Sequence, residues 1–95
     1  MEKTKIIKII VDYLKKNKVR EIGFFGSFAR NEMTRVSDID VLVEYTRGTT
    51  LFDIVRMQME LKEKIGRKID LVSKNAVRDD LMKYIKKDLQ LVYRE

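Results

Sequence analysis

From Asp38 to Tyr45 the chain changes character at every residue. Ile39, Val41 and Val43 fall on one side, and Asp38, Asp40, Leu42 and Glu44 on the other. A repeat of two belongs to a β-strand, and here it gives the strand one apolar and one acidic face. The flanking segments repeat differently. Ile6, Ile9, Ile10, Tyr13 and Leu14 follow the spacing of an amphipathic helix that ends near Asn17. Leu51, Ile54, Val55, Gln58, Leu61, Lys62 and Ile65 mark a second helix, with a Thr50–Asp53 capping box in front and Gly66 as its C-cap.

The remaining segments fill in the order. Val19–Phe25 is short, β-branched and aromatic, and runs into Gly26, as a strand does before a turn. Ser27 reads as the N-cap of a short helical turn reaching Asn31. Lys68–Ser73 is a third strand. Val77, Leu81, Tyr84 and Ile85 suggest a helix capped by Asn75, and Leu89–Tyr93 a short edge strand. The order α-β-α-β-α-β-α-(β) implies an α/β (α+β) fold, a mixed sheet flanked by helices. With 95 residues, a single domain over 1–95 is expected.

Composition narrows the chemistry. The chain has no histidine and no cysteine, which excludes disulfides, thiolate metal sites and an imidazole base. Catalysis must use carboxylates, hydroxyls, Lys, Arg, backbone amides or a hard cation held by oxygen, such as Mg²⁺ or Mn²⁺. No apolar run approaches the roughly 20 residues of a membrane span, and the start is no signal peptide, so a cytoplasmic protein is expected.

Three features carry possible chemistry. Phe24-Phe25-Gly26-Ser27 runs a strand into a turn whose free amides and hydroxyl suit a phosphate, although Gly-Ser is also an ordinary tight turn. Asp38 and Asp40, two apart on a strand, project the same way, and a divalent cation would relieve their repulsion. A solvated acidic face is the alternative. Asp70, between Ile69 and Leu71, needs an outward face, a partner or a metal.

Taken together, Gly26-Ser27-Phe28-Ala29-Arg30 followed by Ser37-Asp38-Ile39-Asp40-Val41 resembles the signature of the DNA polymerase β-like nucleotidyltransferase superfamily, and within it the minimal (MNT) branch. Asp70 falls where that family has its third carboxylate. One departure is Asn31, where the family often has Gly; Asn tolerates a positive φ best among other residues. The resemblance implies transfer of a nucleoside monophosphate from a nucleotide, here AMP from ATP, to a hydroxyl. Asp38, Asp40 and Asp70 would hold two Mg²⁺ ions (or Mn²⁺), and Gly26 and Ser27 the phosphates. Arg30 would offset triphosphate charge or brace the loop by pairing with an acid such as Asp38. Asp70 could also accept the proton of the incoming hydroxyl.

MNT proteins are typically the antitoxin half of a toxin–antitoxin pair and can AMPylate a tyrosine on their HEPN-domain partner. The resemblance implies that role here, with Leu51, Phe52, Met57, Met59 and Leu91-Val92-Tyr93 as interface candidates. The alternative is an antitoxin acting by contact alone. Nucleic-acid binding or RNA-end modification has only the net charge of +6 behind it, with no Lys/Arg run longer than a pair. Homo-oligomerisation stays open.

Overall fold

The computed structural model describes residues 1–95. Its elements are α1 (Lys3–Lys16), β1 (Val19–Phe25), α2 (Gly26–Ala29), β2 (Ile39–Tyr45), α3 (Leu51–Ile65), β3 (Ile69–Ser73), a 3₁₀ turn (Lys74–Ala76), α4 (Asp79–Asp88) and β4 (Gln90–Arg94). The strands form one four-stranded sheet in the order β3-β2-β1-β4. β1 runs antiparallel to both β2 and β4, while β2 and β3 are parallel, joined across α3. The expected α+β order therefore holds, including the edge strand at the C-terminal end. No helix is long and apolar enough to cross a membrane.

One face of the sheet carries the core. Ile22 and Phe24 of β1, Ile39, Val41 and Val43 of β2, and Ile69 and Leu71 of β3 are buried on it. α1 covers them with Ile6, Ile10 and Leu14, and α3 with Met57, Leu61 and Ile65, each set spaced by four residues. Fully burying a side chain of this size contributes roughly 1.5–3 kcal/mol, so these two helices are firmly seated. α4 has no buried residue. It lies against β1 on the sheet's other face and is the least anchored helix.

Local chemistry fixes the ends of α3. Thr50 and Asp53 make the reciprocal capping box, and Gly66 closes the helix at φ 80° with its N–H donating to the Lys62 carbonyl. The Gln58 side chain then accepts a 2.9 Å hydrogen bond from the Leu71 amide. That bond ties the outer edge of β3 to α3.

Three expectations are corrected. Ser27 is not an N-cap: α2 begins at Gly26, Phe25 precedes it, and no side chain caps the turn. Asn75 does not cap α4, because Lys74–Ala76 form their own 3₁₀ turn and the helix begins after Arg78. Met57, an interface candidate, is 1% exposed and belongs to the core. Leu42 lies on the acidic face of β2 as the alternation predicts, and it is buried there.

Candidate active site

Strand register assembles the site. In the parallel pair of β2 and β3, Asp40 stands directly beside Asp70. Paired residues in a ladder project to the same face, so both carboxylates lie on the face opposite the core. On its other side Asp40 pairs with Phe25, the last residue of β1. The Gly26–Ser27 turn is thereby delivered next to the acids. Asp38 sits one residue before β2, where the Ile39 amide donates to the Lys68 carbonyl. Its carboxylate lies 3.6 Å from the Lys68 Nζ.

Gly26 has φ 70°, and a Cβ built on it would stand 2.4 Å from Asp40 Oδ2. Only glycine combines that backbone with that approach. Asn31, at the other end of the turn, takes the positive φ expected of it, 61°.

The acids are poorly compensated. Burial raises the Asp40 carboxyl above its ordinary range; repulsion from Asp70 adds to this, then repulsion from Asp38, while Arg30 works against them. Burial, and then the Asp70 charge, also push the Tyr45 phenol up to about 12. Arg30 does not pair with Asp38. Its guanidinium reaches Asp88 at 2.7 Å and Glu32 at 3.1 Å, which braces the turn against α4.

A hard divalent cation fits this donor set: three carboxylates, with an excess of negative charge centred on Asp40. The three do not form a closed ligand cluster as folded. Asp38 faces the Lys68 ammonium, and its charge also acts on Asp40.

One part of the site is absent from the sequence reading. Between the two acids and α4 lies an open groove of about 460 Å³, lined by Val72, Val77, Leu81 and Tyr84 among others. Leu81 and Tyr84 were placed on a helix by their spacing, but only the tertiary fold brings that helix beside Asp40 and Asp70.

Residues 8–95 match the family described as polymerase beta nucleotidyltransferase. The chain belongs to the polymerase β nucleotidyltransferase family. A relative from Methanocaldococcus jannaschii, provisionally named a protein adenylyltransferase, is 40% identical over 81% of this chain and 83% of its own length. The protein adenylyltransferase MntA of Thermococcus cleftensis is 32% identical over 78% of this nucleotidyltransferase and 75% of itself. Among solved structures, the fold is shared with a complex of a tri-AMPylated Shewanella oneidensis HEPN toxin and its MNT antitoxin. That match has a TM-score of 0.79 and 18% identity, and covers 99% of this chain and 74% of the other.

Proposed function

We propose that this nucleotidyltransferase transfers AMP from ATP to a tyrosine hydroxyl of a HEPN-domain toxin and so acts as its antitoxin. The observation that carries the reading is the register that sets Asp40 beside Asp70, with Asp40 against the side-chain-free Gly26. The names of the two relatives and the AMPylated HEPN toxin of the Shewanella complex support the acceptor and the partner.

In this reading the amides of the Gly26–Ser27 turn and the Ser27 hydroxyl bind the β- and γ-phosphates. Asp38, Asp40 and Asp70 hold Mg²⁺ or Mn²⁺, two ions in the full site. Bound divalent cations supply neutralisation of the triphosphate and of charge developing on the attacking and leaving oxygens. The acceptor oxygen bonds to the α-phosphorus, the bond to the bridging oxygen breaks, and pyrophosphate leaves. Asp70 takes the hydroxyl proton, since the chain has no histidine to do so. Arg30, paired with Asp88 and Glu32, holds the turn and α4 together.

A contact-only antitoxin is favoured by one observation. Leu51, Phe52, Val55 and Met59 form an exposed apolar stripe on α3, on the far side of the sheet from the acids. Incubation with labelled ATP, Mg²⁺ and a HEPN-domain toxin from the same organism separates the two. Label on the HEPN protein, lost in Asp38→Asn and Asp40→Asn, supports transfer. A complex without label, unaltered by either substitution, supports contact alone.

A further inference from the structure

We infer that the apolar groove beside Asp40 and Asp70 seats the nucleobase of the transferred nucleotide, gripping it by stacking and not by reading its edge. The inference rests on the transfer reading above and adds the base subsite to it.

Seven of the ten residues lining the groove are hydrophobic, so a triphosphate has no place there, whereas a flat ring does. The groove opens directly onto the two acids. The base is tethered through the ribose to the phosphorus those acids serve, so the subsite must adjoin them. Leu81 and Tyr84 are 52% and 67% exposed, and a ring laid over them removes that apolar surface from water. The Lys87 ammonium engages one face of the Tyr84 ring at 5.3 Å, and the other face is the one a base would stack on.

Apart from the two acids, the only charged residue lining the groove is Arg78, which is paired with Asp80 at 3.0 Å. Of the other lining side chains only Tyr84 carries a polar group, a single hydroxyl that can donate or accept and so does not by itself tell one purine from another. Selectivity should follow stacking area: purines over pyrimidines, with little distinction between adenine and guanine.

The test is calorimetric titration of wild type, Tyr84→Ala and Leu81→Ser with AMP-PNP, GMP-PNP and inorganic tripolyphosphate, each with Mg²⁺. Both positions are exposed, so both variants should fold, and thermal melts by circular dichroism check this. Wild type should bind AMP-PNP more tightly than tripolyphosphate and GMP-PNP within about threefold of AMP-PNP. Each substitution should weaken AMP-PNP about tenfold, as loss of a stacking partner does, and leave tripolyphosphate unchanged. Unchanged AMP-PNP affinity in both variants overturns the base subsite, and a raised KM for the acceptor protein in those variants would assign the groove to the acceptor ring instead. If neither AMP-PNP nor tripolyphosphate binds wild type, the transfer reading itself falls.

Discussion

Asp40 Oδ2 fills the space in which a side chain at position 26 would begin, 2.4 Å from the Cβ that Gly26 lacks. Strand β1 thereby sets the Gly26–Ser27 turn directly against the acid of β2. Gly26→Ala must both strain a φ of 70° and push Asp40 aside. The backbone cost alone is roughly 1–2 kcal/mol. Displacing a catalytic group by about 1 Å costs on the order of 10²-fold in rate. Urea denaturation and AMP incorporation should show both losses, and a fully active Gly26→Ala variant would contradict the close approach.

Asp40 is an acid the fold holds at a cost. Burial and the neighbouring Asp70 and Asp38 charges disfavour its ionised form. Asp40→Asn should therefore raise the melting temperature in EDTA at neutral pH while abolishing transfer. Mg²⁺ should stabilise wild type more than the variant. A lower melting temperature for Asp40→Asn would show that the carboxylate is compensated by a contact absent from this structure.

Gln58 is the support for Asp70. Its side-chain oxygen accepts from the Leu71 amide, one residue from Asp70 on the edge strand. Gln58→Leu leaves that amide without its partner, which costs about 1–3 kcal/mol if it stays buried. Turnover should fall more than the KM for ATP rises, because Asp70 loses its alignment while the Gly26 turn is untouched. Equal loss in both would point to a general loosening of the fold.

Glu21 gives the fold an acid dependence away from the site. Burial alone would raise its carboxyl, but hydrogen bonds from Arg94 and Lys74 outweigh burial and hold it below the ordinary 4.5. A depressed carboxylate contributes stability that is fully present above its unfolded pKa and disappears as pH falls through its folded one. Glu21→Gln should thus destabilise the protein at pH 7, by about 1.5–3 kcal/mol for hydrogen bonds to a charged group. The difference from wild type should shrink once the pH falls below 4.5. Urea midpoints measured across that range check the sign, and a gap that widens in acid would refute it.

How far the sequence foretold all this depends on which interactions set each feature. The faces of β2 were legible because a period of two leaves little choice, and Asp38 and Asp40 were placed together on that ground alone. Asn31 was legible as a positive-φ residue because few side chains tolerate one. The pairing of Asp40 with Asp70 was not readable from spacing, since a parallel register is set by how α3 packs between its strands. α3 itself carries two apolar stripes. Met57, Leu61 and Ile65 go inward, while Leu51, Phe52, Val55 and Met59 stay in solvent. Helical periodicity marks both and cannot say which is buried, hence the misplacement of Met57. Arg30 is expected either to offset triphosphate charge or to pair with an acid such as Asp38; the acid it meets is Asp88, 58 residues away, which no local spacing could name.

The central claim is that Asp40 of β2, Asp70 of β3 and Asp38 just before β2 make one metal centre beside the Gly26–Ser27 turn. Mn²⁺ binding followed by electron paramagnetic resonance, in the presence of AMP-PNP, reads it directly on wild type, Asp38→Asn, Asp40→Asn and Asp70→Asn. The account predicts that each single substitution, Asp70→Asn included, weakens Mn²⁺ binding. Wild-type Mn²⁺ affinity in Asp70→Asn would contradict it.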